Sequence, residues 1–370
     1  MKTIYLTGYK CHNLGDDLFF LQIIERYPST RFVFEDTNDG YYKGLMSKYN
    51  NVNIIKPIEP PLWGRIINKI LLLLGFEKKD FLFPLLRRAT KIKADAIVMI
   101  GGSVFIEPRT HKTRSEKLVR LMLDYFDQAP LLCIGANFGP YNSNKYLKSS
   151  KRRISLCTDV CFRDKYSYDL FANLNSVRYA PDILFGYKPR YAYSIDTKSI
   201  GISLIDLSNR KDLSHFKDRY LGSIACYINH NKFDKIVLLD FCEAEGDIKA
   251  INELIELFSD DRKILVEVVR YQCNPDLFME SFAKVETIIA TRFHAMILSL
   301  VMGKITIPIS YSKKIVNVIN DMLNPIDYVD MREISELKLK DTIEHYKKPD
   351  ISGLINLSQS QFQVLDNLLK

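Results

Sequence analysis

The sequence predicts an α/β protein made of two doubly wound, Rossmann-like domains. Three observations carry this reading. Short apolar runs alternate with helical patterns almost throughout, the alternation breaks once near the middle, and 370 residues suit two domains better than one. In the first half the apolar runs are 4–9, 31–35, 53–56, 96–100, 131–134, 160–162 and 177–179. Amphipathic stretches lie between most of them, such as 16–26 and 112–126, with apolar residues at three- and four-residue spacing. Around 186–194 the pattern dissolves into Gly, Pro, Tyr and Arg, which reads as a linker. A second series follows at 200–204, 235–240, 264–269, 287–290 and 305–309, and a final helix is expected over 358–369. Strands alternating with helices imply parallel sheets covered by helices. Two such domains facing a cleft are the architecture called GT-B in glycosyltransferases.

Composition supports this and excludes other classes. Hydrophobic residues make up 47% and charged residues 26%, so each half can bury a core. The start of the chain lacks the charged, apolar and small-residue segments of a signal peptide, and no apolar run reaches the roughly 18 residues of a membrane span. Seven scattered cysteines do not form a disulfide framework, which leads us to expect reduced thiols and a cytoplasmic protein. Cys157 and Cys161 lack a second pair, and no His/Cys/Asp cluster has ligand spacing, so no metal is expected.

The net charge of +8 is unevenly spread. Residues 1–190 carry 30 Lys and Arg against 18 Asp and Glu, and residues 191–370 carry 22 against 26. The basic excess has no nucleic-acid-reading module with it, so nucleic acid is not an expected partner. It centres on 62–93, where eight basic and two acidic residues mix with Trp63, Ile66, Ile67, Phe81, Phe83 and many leucines. Three readings are open for this segment: core-covering helices with solvated basic faces, a partner interface, or a peripheral contact with an anionic membrane surface.

Chemistry in such folds sits in the loops at strand ends. The first run is followed by Gly8-Tyr9-Lys10-Cys11-His12-Asn13-Leu14-Gly15-Asp16-Asp17. Glycine there permits close backbone approach, and the next helix offers free N–H groups to an anion or a hydroxyl-rich ligand. Asp16 as a simple helix cap is the bland alternative. Gly101-Gly102-Ser103 and Gly135-Ala136-Asn137-Phe138-Gly139-Pro140 mark two further strand ends. Neither the dinucleotide fingerprint nor the P-loop pattern occurs, which disfavours a nicotinamide enzyme or P-loop ATPase. Arg163-Asp164 and Pro181-Asp182 have a structural alternative as an ion pair and a turn.

The strongest local signal is Thr291-Arg292-Phe293-His294-Ala295, where a buried strand runs into a helix. Arginine offers a fork for carboxylate or phosphate, the helix N-terminus adds partial positive charge, and histidine exchanges a proton near neutral pH. Ser310-Tyr311-Ser312-Lys313-Lys314 follows the next strand, so Lys314 can bring a second cation beside that turn.

Together these motifs resemble the polysaccharide pyruvyl transferase family, which moves pyruvate from phosphoenolpyruvate onto a sugar as a ketal. The resemblance runs from Tyr9 to about Lys314. It rests on Asn13-Leu14-Gly15-Asp16, Gly101-Gly102, the Gly-x-x-x-Gly-Pro loop at 135–140, Arg163-Asp164, Pro181-Asp182, Arg292-Phe293-His294-Ala295 and Ser310-Tyr311-x-x-Lys314. Ser103 replaces a common third glycine, and Lys10-Cys11-His12 replaces a stretch that often has glycine and an aromatic residue. Both departures bear on the acceptor more than on the reaction.

The resemblance implies a donor-side domain over 195–350 and an acceptor-side domain over 1–188 that carries 62–93, with a terminal helix within 355–370. It implies His294 as acid/base, with Arg292 and Asp16 as further catalytic candidates. Donor binding falls to Arg292, Lys314, Arg163, Ser310 and Tyr311. Acceptor contacts fall to Asn13, Gly15, Asp16, Gly101, Gly102, Ser103 and Asn137. The scheme uses no cofactor beyond phosphoenolpyruvate as donor, and its acceptor is a sugar of a bacterial-type surface polysaccharide or a lipid-linked precursor. A lipid-linked acceptor would suit a cytoplasmic protein resting on the inner face of the membrane. A nucleotide-sugar glycosyltransferase of GT-B fold and a non-catalytic saccharide-binding protein are the competing readings.

Overall fold

The computed structural model describes residues 1–37, 39–56, 92–107, 116–190, 193–259 and 264–370. The basic-apolar segment 62–93 falls outside them apart from its last two residues. The chain packs as two compact units: Met1–Tyr9, Phe20–Ala180 and Ser360–Lys370 form the first, Lys10–Phe19 and Pro181–Gln359 the second.

The first unit is built on β1 (Thr3–Gly8), β2 (Arg31–Glu35), β3 (Val52–Ile55), β4 (Ala96–Ile100), β5 (Leu131–Ala136), β6 (Asp159–Phe162) and β7 (Val177–Tyr179). They pair in the order β3-β2-β1-β4-β5-β6-β7, and every pairing is parallel. Strands in such a sheet are covered on both faces, which is why β5 and β6 read as continuous buried runs rather than alternating ones.

The second unit repeats the plan with β8 (Asp196–Ser203), β9 (Lys235–Asp240), β10 (Leu265–Arg270), β11 (Val285–Ala290), β12 (Ile305–Ser310) and β13 (Val329–Asp330). Their order is β10-β9-β8-β11-β12-β13, again parallel. Two parallel-sheet α/β domains are thus present. The two-residue strand Val329–Asp330 is too short to leave an apolar signature, and the sequence pattern gave no sign of it.

The division between units is not a single cut at the linker. Leu14 N–H donates to the Phe241 carbonyl (3.1 Å) and Tyr271 Oη donates to Asp17 Oδ2 (2.8 Å), which fixes 10–19 to the second unit. At the other end, Gln361 donates to the Ala180 carbonyl (2.6 Å) and accepts from Gly135 N–H (2.9 Å). Arg178, paired with Asp159 at 2.7 Å, also donates to the Gln361 carbonyl (2.7 Å). These buried polar links tie the tail to the first unit. The expected helix over 358–369 is broken accordingly: Ser352–Ser358 and Gln363–Leu369 are helical, and a 3₁₀ turn at Gln359–Phe362 lets Gln361 point inward.

Strand order identifies where loops part. In the second unit the chain leaves β8 toward β9 on one side and returns to β11 on the other. The loops after β8 and β11 therefore diverge at a switch point, the place where open α/β sheets bind ligands.

Candidate active site

Thr291-Arg292-Phe293-His294 occupies that switch point. The Thr291 N–H donates to the Ser203 carbonyl (3.0 Å) and the Arg292 N–H to Ser203 Oγ (3.2 Å), so the end of β8 holds the turn. Tyr220, wholly buried, shares a 2.8 Å hydrogen bond with Thr291 Oγ1. Helix Phe293–Val301 starts at once, with Arg292 in extended conformation as its cap. The helix is apolar nearly all round because it is buried against the sheet, and this makes the turn rigid.

His294 meets the loop Asn13-Leu14-Gly15-Asp16 within the second unit. A Cβ built on Gly15 would lie 1.6 Å from His294 Nδ1 and 2.2 Å from its Cγ, so only glycine lets the imidazole lie on this backbone. Phe19 and Phe293 stand edge-on to the imidazole, with centroids at 5.1 and 5.2 Å. Asn13 accepts from the Gly15 N–H (3.0 Å) through Oδ1, and the Asp17 N–H donates to the Asn13 carbonyl (2.9 Å). The helix accordingly starts at Leu14. Asp16 lies inside its first turn, and Asn13 takes the capping bond that the alternative reading gave to Asp16.

Arg292 faces inward. It is 7% exposed, and its Nε donates to both Asp247 oxygens (3.1 and 2.9 Å), while Nη2 pairs with Asp247 and Nη1 with Glu245. Burial alone would lower its pKa, but Asp247 and Glu245 lift it well above the ordinary value, so it stays a cation. The sequence suggested a fork aimed at a donor anion. The structure gives that fork two carboxylates of its own unit.

Beside it, Tyr311 is packed between cations. Arg210 lies 5.0 Å from its ring centroid and Lys314 5.5 Å, and Lys314 is also 5.7 Å from the Phe293 ring. Burial pushes the Tyr311 hydroxyl up, but Lys314, Arg210 and Arg292 together bring it below its ordinary value. Ser310 is buried at the end of β12 and donates to the Ser312 carbonyl (3.1 Å), shaping the loop that carries Lys314.

The other candidates gather in the first unit. Arg163 Nη2 donates to Asn137 Oδ1 (2.7 Å), and Ser103 Oγ donates to the same oxygen at 3.4 Å. A Cβ on Gly102 would lie 2.3–2.5 Å from the Arg163 guanidinium, which accounts for a glycine at that strand end, next to Gly101. Arg163 and Asp164 each also have a partner other than the one the structural alternative gave them. Asp164 caps helix Lys165–Asp169 by accepting from the Ser167 N–H (2.8 Å). Asp182 likewise caps the turn at Ile183–Gly186. Arg163, grouped by the sequence reading with the donor residues, thus shares a cluster with Gly102, Ser103 and Asn137. Asn13, Gly15 and Asp16, grouped with the acceptor, share a unit with His294.

Sequence reasoning passed over Arg210, Asp240, Glu245 and Asp247. The last three lie at and just beyond the end of β9, and the run Glu243-Ala244-Glu245-Gly246-Asp247 after a buried strand was the available signal. Cys11, Cys242 and Glu245 place possible ligand atoms within 4.8 Å of one another. Glu245 is committed to Arg292, so an ion there would have to compete with a buried guanidinium.

Asp240 provides a pH signature. Its side chain is wholly buried, and burial together with Asp247 pushes its carboxyl up to about 6, against the opposing pull of Arg270 at 3.6 Å. Its folded pKa thus exceeds its unfolded one. Between about pH 4 and 6 the folded protein keeps a proton that the unfolded chain releases, so this group's contribution to stability falls as pH rises through that window. The penalty at neutral pH is about 2–3 kcal/mol. Asp240→Asn is expected to gain denaturant resistance relative to wild type from pH 4 to 7. A constant difference across that range would refute the buried-proton account.

Solved structures share the architecture. UDP-GlcNAc 2-epimerase from Neisseria meningitidis bound to UDP-GlcNAc superposes with a TM-score of 0.59 at 11% identity, covering 100% of both chains. The UDP-GlcNAc 2-epimerase of Methanocaldococcus jannaschii gives 0.56 at 11% identity over 99% of this chain and 100% of the other. Anabaena Alr3699/HepE in complex with UDP and glucose gives 0.52 at 13% identity, with 99% and 95% covered. These likenesses define a protein of the GT-B class of fold. No curated protein sequence matches the chain significantly. The polysaccharide pyruvyl transferase family matches residues 13–313, and the chain belongs to that family. The match begins at Asn13, in the loop that Gly15 brings against His294, and ends at Lys313, next to Lys314.

Proposed function

We propose that the protein transfers pyruvate from phosphoenolpyruvate to two hydroxyls of a sugar, forming a ketal, in the assembly of a surface polysaccharide. Family membership supports a transferase acting on polysaccharide. The observation that carries the finer reading is that one unit holds both an imidazole and a cluster of cations: His294 on Gly15, with Arg210, Arg292 and Lys314 grouped about Tyr311 and Glu245. Phosphoenolpyruvate carries a carboxylate and a phosphate, which such a cluster can bind.

The reaction balances without a redox partner. A proton goes to the methylene carbon, which becomes the methyl group. One sugar hydroxyl attacks the adjacent carbon, a second replaces the phosphate, and inorganic phosphate leaves with the remaining hydroxyl proton. His294 is suited to move these protons because its ordinary pKa lies near neutrality. Asp16, buried one residue after Gly15, takes the role of orienting an acceptor hydroxyl in this reading. In the first unit, Arg163, Asn137, Ser103 and Gly102 form a polar cluster suited to sugar oxygens. The acceptor is a saccharide, and a lipid-linked one would suit contact of the basic segment 62–93 with an anionic membrane surface. Among the described residues no helix is long and apolar enough to cross a membrane.

The test is release of inorganic phosphate from phosphoenolpyruvate across a panel of saccharide acceptors, followed by mass analysis for a pyruvyl adduct. Acceptor-dependent release with the adduct is expected. The structural neighbours crystallised with UDP or UDP-GlcNAc motivate the other arm. Turnover of a UDP-sugar with no consumption of phosphoenolpyruvate would replace this reading with glycosyl transfer.

A further inference from the structure

Arg292 has two acidic partners, and they differ in kind. Asp247 is wholly buried at the start of helix Asp247–Ile255, and its oxygens take two donors of the guanidinium. Glu245 sits one residue before Gly246, which adopts φ 90°, at the end of a single 3₁₀ turn, and its side chain keeps 27% of its exposure. Asp247 is a fixed counter-ion. Glu245 is accessible to solvent and joined to the unit by a short, turn-like segment.

Glu245 is also where the cations converge. Its carboxylate pairs with Arg292 Nη1, and Arg210 Nη2 stands 4.0 Å from Oε2. Arg210 and Lys314 both contact the Tyr311 ring, at 5.0 and 5.5 Å. Burial raises the Glu245 carboxyl, yet Arg292, Lys314 and Arg210 bring it below its usual value. Three full positive charges thus surround an anion position, and the protein's own carboxylate fills it.

We propose that Glu245 occupies an anion-binding position formed by Arg210, Arg292 and Lys314, and that the carboxylate or phosphate of the donor enters by displacing it. Taking the incoming anion to be phosphoenolpyruvate rests on the function proposed above. The arrangement has two consequences. An entering anion must outcompete a tethered carboxylate, so apparent affinity is reduced by the fraction of molecules in which Glu245 is seated. A dianion gains more from three cations than a monoanion does, so the seated carboxylate acts as a filter against singly charged acids. Arg210, on the loop after β8, becomes a specificity residue beside the two cations that the sequence pointed to.

The experiment measures binding of inorganic phosphate by calorimetry at low ionic strength, in wild type, Glu245→Gln, Arg210→Gln and the double variant. Glutamine keeps the length of the side chain and an oxygen for Arg292, but removes the competing charge. Phosphate is expected to bind Glu245→Gln about tenfold more tightly than wild type, a modest factor because the site is partly solvated. Arg210→Gln is expected to weaken phosphate in both backgrounds. Unchanged or weaker phosphate binding in Glu245→Gln overturns the proposal, since Glu245 would then serve only to prop Arg292 or to move a proton. Phosphoenolpyruvate turnover by wild type, with no gain in phosphate affinity in Glu245→Gln, sinks this inference and leaves the donor reading intact. Tighter phosphate in Glu245→Gln with no phosphoenolpyruvate turnover in any variant supports the displaceable carboxylate and sinks the donor reading.

Discussion

Replacing His294 with alanine is expected to lower pyruvyl transfer by about three orders of magnitude, within the range ascribed to a positioned general acid or base. The protein should still fold. The imidazole is half-buried, and its edge-on contacts with Phe19 and Phe293 are worth about 1 kcal/mol. Gly15→Ala should reproduce most of the defect while leaving the imidazole in place chemically. Its new Cβ would arrive 1.6 Å from His294 Nδ1, so the ring must swing away from its position. Alanine is otherwise a better helix residue than glycine, so helix Leu14–Arg26 is not weakened by propensity. Initial rates of phosphate release, circular dichroism melts and donor titrations on both variants make the test. Near wild-type transfer by His294→Ala removes the imidazole from the chemistry. Full activity in Gly15→Ala would show that ring placement against this loop does not matter.

Much of this was readable in the residues because parallel α/β folds leave plain marks. Buried strands such as Leu131–Ala136 and Lys235–Asp240 are apolar runs, and their ends carry glycines or charged residues. Thr291-Arg292-Phe293-His294 was identifiable because a strand whose last four residues are buried passes through a two-residue turn into a buried helix. Harder to read were the partnerships. Gly15 and His294 are 279 positions apart in the chain, and nothing local in Asn13-Leu14-Gly15-Asp16 says which sheet it will join. The hydrogen bonds from Leu14 to Phe241 and from Tyr271 to Asp17 decide this, and both are long-range. The same holds for Gln361, a polar residue in an amphipathic tail whose buried amide spans Ala180 and Gly135. Arg292 shows the limit most clearly. Its type and place suggested an anion-binding fork, but the two acids that occupy the fork come from beyond the end of another strand.

That occupancy sets the second large effect. Arg292→Ala is expected to cost about 3–5 kcal/mol of stability, because it strands Asp247 as a wholly buried carboxylate without its counter-ion. Arg292→Lys should fall between alanine and wild type: charge is kept, but a point cation cannot span Asp247 and Glu245 as the planar fork does. Denaturant unfolding of the two variants gives the ranking. A structural role alone and a role in donor binding both predict loss of activity, so activity cannot separate them. The paired replacement Arg292→Met with Asp247→Leu does, since substituting both members of a buried ion pair by apolar groups is often neutral or stabilising. Stability is then expected to return to within about 1–2 kcal/mol of wild type, judged against the cost of modest overpacking. Phosphoenolpyruvate binding should stay impaired, because one of the three cations around the Glu245 position is gone. A paired variant that recovers both stability and donor affinity would reduce Arg292 to a structural residue and leave Arg210 and Lys314 as the cations that meet the donor.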